Sequence, residues 1–170
     1  MADLSGTESI EIDAPVERCW AVIADVERAP EWQGAMSTAE ALEHDGHGRP
    51  TLVDTQIDAL VAKVKLRLRF EYDEPSGMRW EREDGDLKSL VGSWMLEDLG
   101  GGRTRATYSL DIGLNRALGI LRKGVRGPAE AKVRELLARR PVEGLKRVAE
   151  DGAGRQGTAT PPAPAERRSA

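Results

Sequence analysis

The stretch from Lys63 to Asp73 reads KVKLRLRFEYD. Its apolar residues take every second position: Val64, Leu66, Leu68, Phe70 and Tyr72. Lys63, Lys65, Arg67, Arg69 and Glu71 take the positions between them. Successive side chains of a strand point to opposite faces, so this rhythm predicts a β-strand with one dry face and one wet face. A sheet wetted on one side is typically antiparallel, because parallel sheets are covered on both.

The neighbours on either side keep the same period. Upstream, strands are predicted over Ser37–Glu43 and Thr51–Leu60, separated by the turn Asp45-Gly46-His47-Gly48. Downstream, strands are predicted over Met78–Glu83, Lys88–Asp98 and Arg103–Ile112, with turns at Pro75-Ser76-Gly77, Asp84-Gly85-Asp86 and Gly100-Gly101-Gly102. In these strands Trp80 stands between Arg79 and Glu81, and Ala106, Tyr108, Leu110 and Ile112 alternate with polar residues. The connections are all short, which predicts an antiparallel meander.

Both ends of the chain change period. A short strand, Ser9–Asp13, precedes a helix over Pro15–Val26 in which Val16, Cys19, Trp20 and Ile23 share one face. Asp13 is placed to cap that helix and Pro15 to begin it. Ala29-Pro30-Glu31-Trp32 then makes a short second turn. After the sheet, Leu114, Leu118, Leu121 and Val125 return to helical spacing, and Gly127-Pro128 interrupts it. Val133, Leu136, Leu137, Leu145 and Val148 form the stripe of a C-terminal helix, which Pro141 should kink or split near Arg140. The class is therefore α+β, with six to seven antiparallel strands and a long final helix. Residues 1–150 make one domain. Residues 151–170 are rich in Gly, Ala, Pro, Thr and Arg, hold no large apolar residue, and are expected to be a disordered tail.

Composition narrows the function. A net charge of -4 argues against general attraction to nucleic acid. The single cysteine, Cys19, allows no intramolecular disulfide and fits a reducing, cytoplasmic setting. No secretory signal is visible near Met1 and no stretch is apolar enough to span a bilayer, so contact with a membrane would be peripheral. Aromatic residues are few, at four Trp, two Tyr and one Phe, so each marks a place where a large apolar surface is wanted.

Two segments carry a family resemblance. Ile10-Glu11-Ile12-Asp13-Ala14-Pro15, followed by Val16 to Trp20, Asp25-Val26 and Pro30-Glu31-Trp32, resembles the opening of the polyketide cyclase/dehydrase and coenzyme-Q-binding branch of the SRPBCC superfamily. Gly92-Ser93-Trp94 through Tyr108 resembles its penultimate hairpin. The resemblance implies the helix-grip fold of START-like and Bet v 1-like domains: a curved antiparallel sheet around a long C-terminal helix, with a cavity between them for lipids, quinones or polyketides. It implies no shared catalytic constellation. Pro141 and the short basic segment from Asn115 to Arg126 depart from the family pattern.

The candidate site follows from period and resemblance together. Phe70, Tyr72, Trp80, Trp94 and Tyr108 are expected to point inward, opposite Leu121, Val133 and Leu137, either lining a cavity or filling a core. Arg82 follows Trp80 at period two and either fixes the polar end of a ligand or reaches water at the sheet edge. Thr55, the polar residue on an otherwise apolar strand face, either bonds a ligand or the backbone. Asp54 and Asp58 fall on the wet face and carry no chemistry.

His44 and His47 flank a turn and lack further ligands, so no metal is expected. Cys19 reads as an inert core thiol. No cofactor and no catalytic residue is expected. Arg116, Arg122, Lys123 and Arg126 lie in a basic amphipathic segment, either a solvated helix or a contact with an anionic membrane. The function that fits is carriage or sensing of a hydrophobic small molecule. The alternative is a polyketide aromatase/cyclase-dehydratase, which would need an acid or base inside the cavity.

Overall fold

The computed structural model describes residues 3–59, 62–116, 131–132 and 135–156. Seven strands carry the molecule: β1 Leu4–Ile12, β2 Met36–His44, β3 Pro50–Ala59, β4 Ala62–Asp73, β5 Gly77–Gly85, β6 Ser89–Gly100 and β7 Arg103–Gly113. They form one antiparallel sheet in the order β1-β7-β6-β5-β4-β3-β2. The meander of β2 to β7 is the predicted one. β1 starts earlier than expected, at Leu4, and forms one edge of the sheet by pairing with β7, Ile10 opposite Ala106 and Leu4 opposite Ile112.

Helix α1 spans Val16–Ala24 and buries Val16, Cys19, Trp20 and Ile23, the predicted face. Its start corrects the expected cap. Pro15 takes the cap position and no side chain caps the helix. The backbone N–H of Asp13 instead donates to Glu150 Oε1 at 3.0 Å, which ties the β1–α1 junction to the far end of the chain. A 3₁₀ turn, Val26–Glu31, follows and delivers Trp32 to the sheet.

A π-helical turn, Glu135–Arg139, leads into helix α2, Arg140–Gln156. Pro141 is the second residue of α2, directly after the π-helical turn. The predicted interruption near Arg140 is thus a change of helical pitch. Helix α2 also runs beyond the expected domain end at Glu150, so Asp151 to Gln156 are helical rather than tail; the remainder of that tail lies outside the described residues.

The helix is pinned at several points. Arg18 Nε donates to the Ala149 carbonyl at 2.6 Å, and Lys146 Nζ to the Glu11 carbonyl at 2.8 Å. Val142, Leu145 and Ala149 are buried against the sheet and α1. Gly144 permits the closest approach: a Cβ there would stand 2.3 Å from the Trp32 carbonyl oxygen. Glycine inside a helix costs about 1 kcal/mol of propensity relative to alanine, so the contact with Trp32 is what that cost serves.

Candidate functional site

Period two carries Met78, Trp80 and Arg82 of β5, Leu90, Gly92, Trp94 and Leu96 of β6, and Ala106, Tyr108, Leu110 and Ile112 of β7 to the same face as Leu66, Leu68 and Phe70 of β4. All seven aromatic residues of the chain meet there in one unbroken series. Trp20 touches Tyr72 edge-on at 6.1 Å between ring centres, Tyr72 lies 6.4 Å from Phe70, and Phe70 lies 5.8 Å from Trp80. Trp80 lies 5.7 Å from Tyr108, Tyr108 lies 4.8 Å from Trp94, and Trp94 lies 6.2 Å from Trp32. These spacings fall in the favourable range for offset and edge-to-face ring pairs.

Gly92 makes this arrangement possible. It stands opposite Trp80, and a Cβ on it would lie 2.3 Å from Trp80 Cε2. The indole therefore rests on bare backbone. A glycine inside a strand is the signal that would have pointed to it.

The expected site residues now separate. Phe70, Trp80, Trp94 and Tyr108 face inward and are buried, as expected, and Tyr72 is half-buried beside them. Leu137 packs, partly buried, against the same core. Leu121 and Val133 lie outside the described residues, as do Arg122, Lys123 and Arg126 of the basic segment. Arg116 is exposed.

The inward polar groups differ in how they are met. Thr55 is buried, but its hydroxyl donates to the Thr38 carbonyl at 2.7 Å, so the backbone alternative describes it and its proton is not free for a ligand. Thr104, which the sequence pattern did not single out, is fully buried and donates to the Ala14 carbonyl at 2.8 Å. Tyr72 donates to the Pro50 carbonyl, and the Arg49 guanidinium lies 4.9 Å above its ring. Burial pushes the Tyr72 phenol above its usual range; the Asp45 charge acts in the same direction and Arg49 opposes it. Tyr108 is pushed up by burial alone, and among the described residues its hydroxyl has no hydrogen-bond partner.

Arg82 lies on the inner face by period two from Trp80, and a register shift between β4 and β5 follows immediately after it. Leu68 opposes Arg82, whereas Arg67 opposes Asp84. One guanidinium nitrogen of Arg82 donates to the Gly85 carbonyl at 3.1 Å and stands 3.7 Å from Asp84, whose side chain is exposed. Among the described residues, Arg82 Nε is enclosed and has no acceptor, and Trp94 Nε1 is in the same condition. Arg82 therefore partly fits both of its expected alternatives: its tip reaches the sheet edge while its Nε is buried and unmet.

The remaining candidates are structural. Cys19 is fully buried, and burial raises its thiol further while a bond with Thr104 opposes the shift. His44 and His47 are exposed, and among the described residues no cluster of His, Cys, Asp or Glu could hold a metal. Asp45 between them organises the hairpin, accepting the backbone N–H of His47 at 2.8 Å and of Arg49 at 3.0 Å, and the Arg49 side chain at 2.8 Å. Backbone N–H bonding, first that of Arg49, together with the Arg49 charge holds its carboxyl down at about 2. Among the described residues no helix is long and apolar enough to cross a membrane.

A curved antiparallel sheet around a C-terminal helix, with an aromatic inner face, defines the helix-grip class. The sequence profile of the family described as polyketide cyclase/dehydrase and lipid transport matches residues 12–137, and the chain belongs to this family, within the SRPBCC superfamily. No curated protein matches the sequence.

Solved structures share the fold. A START superfamily protein from Mycobacterium smegmatis is 20% identical with a TM-score of 0.67, covering 91% of this chain and 99% of its own. A protein from Thermus thermophilus is 22% identical with a TM-score of 0.69, covering 88% and 99%. The Zhui aromatase/cyclase from a Streptomyces species is 18% identical with a TM-score of 0.63, covering 91% and 96%.

Proposed function

We propose that this protein binds an apolar small molecule, as a carrier or sensor, against the concave face of the sheet beneath the C-terminal helix. The observation that carries this reading is the series of seven aromatic rings in mutual contact, spanning β4 to β7 and reaching α1 and Trp32. Burying ligand surface against such a face is worth about 25 cal/mol per Å² before association costs. Lipids, quinones such as coenzyme Q, and polyketides are the candidate classes, and family membership supports that range. Both tyrosines stay protonated at neutral pH, so neither serves as a general base. Ligand loading at an anionic membrane through Arg116, Arg122, Lys123 and Arg126 belongs to the same proposal. Liposome co-sedimentation unaffected by charge reversal at Arg122 and Lys123 would remove that part.

A second reading, aromatase/cyclase activity on a poly-β-keto chain, is favoured by one observation. Tyr108 is a buried phenol, kept neutral and without a partner among the described residues, placed beside Trp94 and Trp80 where it could donate a hydrogen bond to an oxygen of the poly-β-keto chain as charge develops there. Native mass spectrometry of the protein purified from its host separates the two. A co-bound apolar molecule is the expected result. An empty protein that turns over a poly-β-keto substrate would replace the first reading with the second.

A further inference from the structure

Several hydrogen-bond donors of the concave face are already met. Tyr72, Thr55 and Thr104 deliver their protons to the carbonyls of Pro50, Thr38 and Ala14. Arg82 Nε and Trp94 Nε1 deliver theirs to nothing among the described residues, although both atoms are enclosed. Trp94 is only 2% exposed, so water does not reach its indole freely. An enclosed N–H without an acceptor is costly, and native proteins tolerate few of them. Two on one face, bracketing the same aromatic series, call for acceptors that the described residues do not supply.

Register gives their separation. Trp94 opposes Met78, and Gly92 opposes Trp80, so Arg82 lies four positions along β5 from the Trp94 rung. At about 3.3 Å per residue the two rungs are about 13 Å apart. Between them lie the rings of Trp80 and Phe70 and the side chain of Leu68, a mostly apolar stretch whose one polar atom is the Trp80 indole nitrogen. Charge gives the chemistry of the ends. The Asp84 carboxylate reaches the tip of Arg82 only from solvent, at 3.7 Å, and leaves Nε unmet. Glu8 shares the concave face by register but is exposed on the β1 edge. A desolvated guanidinium N–H is best met by a carboxylate or another anionic oxygen, whereas a neutral indole N–H is met by a carbonyl or ether oxygen.

We infer that the ligand is an elongated apolar molecule with acceptor oxygens at both ends, an anionic one held by Arg82 Nε and a neutral one held by Trp94 Nε1. This rests on the binding reading above and narrows it. A plain hydrocarbon tail or a cationic amphiphile would leave both donors unmet.

Calorimetric titration with three probes of one chain length tests it: monomethyl dodecanedioate, dodecanoate and dodecylamine. Diphenylhexatriene, a neutral fluorophore, reports whether the face takes any apolar molecule at all. The half-ester should bind tightest, dodecanoate about tenfold more weakly for the loss of one buried hydrogen bond, and dodecylamine weakest. Trp94→Phe keeps the ring and should bring the half-ester down to the dodecanoate level while leaving dodecanoate unchanged. Arg82→Met keeps the apolar stem and should weaken both carboxylates about tenfold or more. Trp94→Phe vacates part of a buried site and should melt somewhat below the parent, and its unchanged affinity for dodecanoate shows that the face remains folded. Dodecylamine binding as tightly as the half-ester, or variants that leave the order of affinities intact, would overturn the inference and leave the binding reading standing. Failure of all three probes and of diphenylhexatriene to bind would remove the binding reading, and the inference with it.

Discussion

On the outer side of β4, Arg67 meets Asp54 through two bonds of 2.7 and 2.9 Å, and Arg69 reaches both Glu83 and Glu43. One residue away on the inner side, Leu68 and Phe70 are almost wholly buried among other rings and aliphatic chains. The outer face is rich in polar atoms, and its arginines find partners while staying in contact with water. The inner face has few polar atoms, and two of its N–H groups find none among the described residues. The same strands therefore hold cheap, satisfied polarity on one side and scarce, unmet polarity on the other. The lesson is that charge count is a poor guide to function here. The informative atoms are the two that the fold encloses and leaves without an acceptor.

The contrast can be broken most severely at the centre of the ring series. Trp94→Ala removes the ring that joins Tyr108 to Trp32 and should destabilise the fold by about 3–5 kcal/mol, read from urea denaturation. A loss below about 1 kcal/mol would mean that the rings are loosely packed. Next comes the contact that holds the helix over the face. Gly144→Ala gains about 1 kcal/mol of helix propensity but drives a methyl into the Trp32 carbonyl, which is backbone and cannot swing away. A net loss of about 2 kcal/mol is expected, in the range for overpacked sites. A gain would show that α2 slides freely on the sheet.

A smaller effect comes from pH. The folded-state phenols of Tyr72 and Tyr108 ionise above the usual value of 10, whereas in the unfolded chain they ionise at that value. Their contribution is intact below pH 10 and is lost as pH rises beyond it, because only the unfolded chain then releases the protons. For fully buried Tyr108 the loss is about 1.4 kcal/mol at about pH 11. Ultraviolet titration should show phenolate appearing together with unfolding. Phenolate appearing near the usual value of 10 in folded protein would place Tyr108 in contact with water.

Much of this architecture is written locally in the chain. The alternation from Lys63 to Asp73 placed five side chains on the correct face, and the same period placed Trp80, Trp94 and Tyr108 beside them. The apolar face of α1 was legible for the same reason, including Trp20. What was not legible depends on residues distant in sequence. The pairing of β1 with β7 joins the first and last strands of the chain, and no local pattern specifies it. Gly92 and Gly144 matter through what lies above them, Trp80 and Trp32. The helical state of Asp151 to Gln156 runs against a Gly-rich composition. The Arg18 guanidinium packs so closely on Gly152 that no Cβ would fit there, and this tertiary contact offsets poor propensity. Arg82 is the most instructive case. Period two put it on the inner face, but only the register shift beside it and the fate of its Nε show that its head is divided between solvent and interior.

The smallest effect lies on the outer face and bounds the comparison from the other side. Arg67 and Asp54 make a two-bond pair of good geometry, yet both side chains are about two-fifths exposed, at 42% and 43%. The bonds and the Arg67 charge lower the Asp54 carboxyl below its usual value, but solvent screens most of that gain. A double-mutant cycle with Arg67→Ala and Asp54→Ala should therefore give a coupling of about 0.2–1 kcal/mol, shrinking as salt is raised. Ligand affinity should not change in either variant, since neither residue faces the rings. A coupling well above about 1 kcal/mol would mean that the ion pairs of the outer face help set the curvature of the sheet. A parallel drop in affinity would then tie that curvature to the binding face, and the two sides of β4 could no longer be treated as independent.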